Sequence, residues 1–218
     1  MTRRLAARLK ISTEQVVREY WEIWLLKGLF DSALGDRLVF KGGTALRLAH
    51  GSPRFSDDLD FSLRQAFPFR TFSVWARRLA STDAEFELTD LVAKHYTFLA
   101  EFKVTDNALP RAFRVVIEVS RRNMGEMESE LGLITSPCSP LTVLGRVATL
   151  EALWQEKLQA LRTRGLPRDL FDLWFLSQKL RQPLPADRPR IDPRVLRRDL
   201  RKYLPHDYYP VIEELAAR

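Results

Sequence analysis

The chain has little of the chemistry that marks secreted, membrane-bound or histidine-metal proteins. A single cysteine, Cys138, excludes an internal disulfide and suits a reducing compartment. It lies among Ser136, Pro137, Ser139 and Pro140 with no histidine at metal-ligand spacing, so it reads as a structural thiol. The three histidines, His50, His95 and His206, stand apart from one another and leave no imidazole metal site. No stretch approaches the roughly 20 apolar residues that a membrane span requires. The basic start, Thr2-Arg3-Arg4, is followed by no apolar core segment and no small-residue cleavage site. Internal repeats and low-complexity tracts are also missing. The expectation is a cytoplasmic protein with no membrane partner.

What is present is ordinary in amount and biased in sign. With 218 residues and 45% hydrophobic content, the chain can build one domain with a helical extension, or two small lobes. The formal net charge is +7 and the pI near 9.8. Such a surplus favours an anionic partner such as nucleic acid, although composition alone is equally compatible with a basic surface that binds nothing.

Periodicity predicts an α+β protein with a mixed sheet. Ser12 to Gln15 reads as a helix start, and Val17, Tyr20, Trp21, Trp24, Leu25 and Leu29 continue it to about Leu34, with Gly35-Asp36 closing it. Strands are expected at 38–40, 59–63 and 112–119, and an antiparallel pair at 85–91 and 95–104 turning at Ala93-Lys94. Helices are expected at 44–49 and 68–81. From Leu141 the pattern turns helical, with one stripe through Leu150, Leu153, Trp154, Leu158 and Leu161 and a second helix over 168–179. Four prolines between Gln182 and Pro193 read as an extended linker. A basic segment over 194–202 and a helix near 211–217 complete the chain. The division this suggests is a core over 1–140, with the N-terminal helix, and a helical lobe over 141–218.

Two short motifs carry chemistry. Lys41-Gly42-Gly43-Thr44 follows an apolar run and opens a helix. A glycine turn there exposes backbone N–H groups beside the positive end of the helix dipole, which suits phosphate. Asp58-Leu59-Asp60 is a carboxylate pair, and on a strand residues two apart share a face. Two converging carboxylates suit one hard cation that also binds phosphates. Asp60 lies between Leu59 and Phe61, where an uncompensated charge carries a penalty. Together the motifs are the halves of a phosphoryl- or nucleotidyl-transfer site.

The stretch from Phe40-Lys41-Gly42-Gly43-Thr44-Ala45-Leu46 to Arg54-Phe55-Ser56-Asp57-Asp58-Leu59-Asp60-Phe61 resembles the polymerase-β-like nucleotidyltransferases. Within them it is similar to the abortive-infection, AbiEii-like toxins of toxin–antitoxin systems. Lys157 in Leu150–Lys157, and Arg168-Asp169-Leu170-Phe171-Asp172-Leu173, agree in order, so the resemblance spans residues 38–176. It implies a polymerase-β-like core with a helical lobe. It also implies transfer of NMP from an NTP with Mg²⁺ or Mn²⁺ held by Asp58 and Asp60. Glu118 becomes either a third carboxylate or a solvent-facing strand residue. Lys41, Gly42, Gly43, Thr44 and Ser56 become nucleotide-binding candidates, with open alternatives. Lys41 would face phosphate or solvent, Thr44 would bind phosphate or cap the helix, and Ser56 would be a phosphorylation point or a turn cap.

Lys157 is implied to meet the nucleotide phosphates, and either Asp169 or Asp172 to orient it or the acceptor. The implied partners are an NTP, an antitoxin protein, and an RNA acceptor such as the tRNA 3′ end. For the RNA, Arg162, Arg164, Arg168, Arg194, Arg197, Arg198, Arg201 and Lys202 supply charge. A protein or small-molecule acceptor, or an inactive module of the same fold, are the alternatives.

Overall fold

The computed structural model describes residues 2–122 and 124–217. Among these the chain forms a seven-stranded mixed sheet and eight α-helices. The strands are β1 (Leu38–Lys41), β2 (Asp58–Leu63), β3 (Phe86–Lys94), β4 (Thr97–Val104), β5 (Phe113–Ser120), β6 (Ser129–Ile134) and β7 (Val143–Ala148). Their order across the sheet is β3-β4-β5-β2-β1-β7-β6. β2 runs parallel to β5, β1 runs parallel to β7, and the other neighbours are antiparallel. The glycine turn and the carboxylate pair therefore lie on adjacent central strands, with Lys41 opposite Asp60.

Helix α1 (Thr2–Leu9) precedes α2 (Thr13–Phe30), whose start is capped by the Ser12 hydroxyl accepting from the Gln15 N–H. α2 and α4 (Phe69–Ala80) cover the sheet and bury a core through Leu25, Leu26, Leu29, Phe40, Phe61, Phe72, Phe102 and Ile117. A second core unites α5 (Leu150–Arg164), α6 (Pro167–Leu180), α7 (Pro193–Leu200) and α8 (Tyr209–Ala217) around Leu153, Phe171, Leu173, Leu196, Leu200 and Ile212. Val39 of β1, Ala148 of β7 and Leu46 of α3 (Gly42–Leu48) belong to that second core and seat the helical lobe against the sheet.

Four local expectations change. Helix α2, expected to reach about Leu34, stops at Phe30, because the Ser32 hydroxyl donates to the Leu29 carbonyl and ends the ladder. The hairpin turns at His95-Tyr96, two residues beyond Ala93-Lys94. Residues 143–148 form strand β7, and the helical pattern begins only at Leu150, behind the Thr149 cap. Gly145 interrupts the alternation of β7, and a Cβ there would lie 2.6 Å from the Phe30 ring, so the strand sacrifices its pattern to seat α2. The basic segment after the proline-rich stretch is helix α7, begun by Pro193 behind an Asp192 cap.

Candidate active site

β2 alternates core-facing Leu59 and Phe61 with Asp58 and Asp60, so both carboxylates emerge on one face. Glu118 on β5 is in register with Asp60 and joins them on that face. All three line a cleft of about 360 Å³, with Lys41, Gly42, Gly43, Arg54, Ser56, Glu156, Lys157, Arg164 and Arg168 on its other walls. The cleft lies between the sheet and α5, where the two cores meet.

Gly42 adopts φ +78°, and a Cβ on it would fall 2.5 Å from an Asp60 carboxylate oxygen. Any side chain there would be strained and would collide with the acid. A Cβ on Gly43 would meet the Arg54 guanidinium at 2.2 Å and the Ser56 hydroxyl at 2.9 Å. The double glycine is thus required by side chains crowding the turn from β2 and the loop before it.

Thr44 is not the helix cap, a position that Lys41 holds. It is buried in the first turn of α3, its hydroxyl donates to the Asp58 carbonyl, and it does not line the cleft. It fixes the start of β2 to the glycine turn. Lys41 occupies the helix-cap position and pairs with Glu156 of α5 at the cleft edge. Ser56 lies on the cleft wall, just before β2.

Behind the cleft is a buried ionic network. Lys157 lies 2.7 Å from Asp172 and 3.4 Å from Asp169. Arg54 donates through Nε and Nη2 to the two oxygens of Asp172, at 2.7 and 2.8 Å. Arg164 donates through Nε and Nη2 to Asp169, both at 2.7 Å. Both aspartates are fully buried, one turn apart on α6, and Lys157 is 5% exposed. Burial opposes the charge of Asp172, but Arg54 and Lys157 outweigh it and hold its carboxyl below the ordinary value. Asp172 is the closer partner of Lys157, while Asp169 chiefly holds Arg164.

Arg54 is the residue that the sequence reading passed over. It is 2% exposed, and its Nη1 also donates to the Phe55 carbonyl. A signal existed: it is the lone charge between Arg47 and Asp57. Arg164 and Arg168, expected among the RNA-contacting cations, line the cleft. Three others are engaged in the helical lobe: Arg197 and Arg201 with Glu213, and Arg198 with Asp199.

The metal candidates are electrostatically unsettled. Burial pushes the Asp60 carboxyl up to about 6, with Lys41 opposing and Glu156 adding to the rise. Asp58 is raised by burial and by Asp57, with Arg168 opposing. Two hard oxygen donors whose charge the protein does not fully compensate fit a divalent cation that keeps several waters and shares its shell with phosphate. Among the described residues no group of three or more histidine, cysteine, aspartate or glutamate side chains is placed to hold a metal ion together.

The chain and its fold have counterparts among known proteins. The model of the family described as nucleotidyl transferase AbiEii toxin, Type IV toxin–antitoxin system, matches residues 24–216. The chain belongs to the AbiEii nucleotidyltransferase toxin family. As a member, it is a nucleotidyltransferase enzyme and the toxin component of a toxin–antitoxin system, using an NTP as substrate. Its fold is similar to that of MenT4, a nucleotidyltransferase toxin from Mycobacterium tuberculosis, with TM-score 0.62 and 24% identity over 91% of this chain and 68% of that one. It is also similar to JHP933 from Helicobacter pylori, with TM-score 0.58 and 26% identity over 77% of this chain and 68% of that one. No curated protein matches the chain. Among the described residues no helix is long and apolar enough to cross a membrane.

Proposed function

We propose that this AbiEii-family toxin transfers NMP from an NTP to the 3′ end of an RNA, most directly a tRNA, in a Mg²⁺-dependent reaction that releases pyrophosphate. The observation that carries the proposal is the pairing of Asp58 and Asp60 with a cation-lined cleft on the same strand face. Asp58 and Asp60 would hold the cation, which supplies charge neutralisation of the triphosphate and orients the leaving group. The glycine-turn N–H groups and Lys157 bind the triphosphate, and Lys157 stabilises the negative charge that grows on the leaving pyrophosphate. Arg54 and Asp172 fix the Lys157 ammonium. Glu118, beside Asp60, accepts the proton of the attacking hydroxyl.

The surplus of +7 supports a polyanionic acceptor over a cationic small molecule. Incubating the protein with labelled NTPs, Mg²⁺ and total tRNA tests the reading. Label in RNA is the expected result, whereas label in protein, or in no macromolecule, overturns the RNA assignment. The antitoxin implied by family membership would act on this enzyme in the cytoplasm, and phosphorylation of Ser56 would place about two negative charges on the cleft wall.

A further inference from the structure

Two grooves leave the catalytic cleft, and they carry opposite charge. On one side is a cavity of about 890 Å³ that shares Lys41, Glu118 and Glu156 with the cleft. Its walls carry five carboxylates, on Glu118, Glu126, Glu128, Glu151 and Glu156, against two cations. Of those cations, Lys41 is paired with Glu156, and Arg122 lies over the Tyr96 ring. Helix α5 presents Glu151, Gln155 and Gln159, spaced four apart on one exposed face, to this cavity. The same helix turns Lys157 and Arg164 to the cleft.

On the other side Arg168 is shared between the cleft and a groove of about 410 Å³. Its walls carry three cations, on Arg168, Arg198 and Lys202, against one carboxylate, on Asp199, which pairs with Arg198; Tyr203 lies beside them. Lys202 and Tyr203 continue into a third groove, of about 720 Å³, bordered by Lys10, Arg18 and Arg201 and by the acidic Glu14 and Asp57. There Lys10 pairs with Asp207, Arg18 with Asp57 and Arg201 with Glu213, so among the described residues Lys202 carries its free charge. Neither Arg168 nor Lys202 forms a salt bridge among the described residues, although Arg168 is near enough to Asp58 to oppose the rise of its carboxyl.

We propose that these grooves separate the two substrates: the uncharged nucleoside of the NTP enters the acidic cavity, and the RNA strand runs along Arg168, Arg198 and Lys202. The proposal rests on the nucleotidyl transfer to RNA argued above. The triphosphate occupies the cleft between the grooves, so its nucleoside and the acceptor must leave in different directions. A polynucleotide brings one negative charge per residue, which the acidic walls repel and the basic groove attracts. A nucleoside brings none. Its base edges carry N–H donors and ring acceptors, which glutamate and glutamine side chains can meet. A volume of about 890 Å³ is within the range of small-molecule sites.

The test uses the intact protein, labelled NTP and tRNA. Charge reversal of the exposed pair, Arg198→Glu with Lys202→Glu, is expected to raise KM for tRNA about tenfold. It should lower the log–log salt slope of tRNA binding by roughly 1.5 and leave KM for NTP within about twofold. Gln155→Trp, which fills the acidic cavity from an exposed helix face, is expected to raise KM for NTP at least tenfold and to leave tRNA affinity unchanged. Glu151→Gln with Gln159→Ala is a milder second probe of that cavity, expected to raise KM for NTP about threefold. Exchange of the two effects, or unchanged constants in all variants, overturns the placement. Failure of the wild-type protein to label RNA refutes the underlying function instead, and NTP binding by Gln155→Trp still reads the acidic cavity on its own.

Discussion

Replacing Asp60 with asparagine should stabilise the metal-free protein while abolishing transfer. In the folded chain burial holds the Asp60 carboxyl near 6, against about 3.9 in an unfolded chain. Below about pH 4 the group is protonated in both states and contributes nothing. As the pH rises from 4 to 6 the unfolded chain gives up its proton and the folded chain does not, so folding loses stability. Above 6 the loss is constant. At about 1.4 kcal/mol per pH unit, a difference of about two units amounts to about 3 kcal/mol. Asp60 retains partial access to solvent, so 1–3 kcal/mol is the expected range. Urea unfolding in EDTA at pH 4, 6 and 8 measures this. Asp60→Asn should match wild type at pH 4 and exceed it by about 1–3 kcal/mol at pH 8. Adding Mg²⁺ with NTP should narrow or reverse the gap at pH 8, because only the wild type gains binding energy. A variant no more stable than wild type at pH 8, or a difference independent of pH, would refute the idea that Asp60 carries uncompensated charge.

Arg54→Ala leaves Asp172 buried with Lys157 alone and should lower stability by about 3–5 kcal/mol, measured by thermal or urea unfolding. Arg54→Lys should recover only part of this, since a point charge cannot reproduce the bidentate contact. Lys157→Met should reduce kcat at least 100-fold, and Lys157→Arg should not restore it, because the pocket behind Asp172 is already filled by Arg54; near-normal turnover in either variant would remove Lys157 from the reaction. Thr44→Val should cost about 1 kcal/mol of stability and leave KM for NTP within about twofold, since its hydroxyl serves the Asp58 carbonyl; a large rise in KM would return Thr44 to the phosphates.

Much of the geometry around the candidate site is local in origin, and for that reason that geometry was readable without a structure. The glycine turn, the alternation of Asp58 and Asp60 with Leu59 and Phe61, and the Ser12 cap each depend on residues within a few positions of one another. β7 was hidden because Gly145 breaks its pattern to admit Phe30, from more than a hundred residues away. The contact of the Thr44 hydroxyl with the Asp58 carbonyl was not legible locally, because it depends on the packing of α3 on β2. The role of Arg54 arises where it meets Asp172, 118 positions away, in a buried setting, while Asp169 is taken by Arg164 only five residues before it. Composition determined that the chain is basic, but where that charge is free depended on the tertiary fold. Glu213 engages Arg197 and Arg201, and Asp169 engages Arg164, while Arg168 and Lys202 remain to face the grooves. Short-range patterns determine which elements form and which side chains share a face, because those choices depend on backbone geometry. Ion pairing across elements depends on distances and desolvation, which exist only once the sheet and the helical lobe have closed around the cleft.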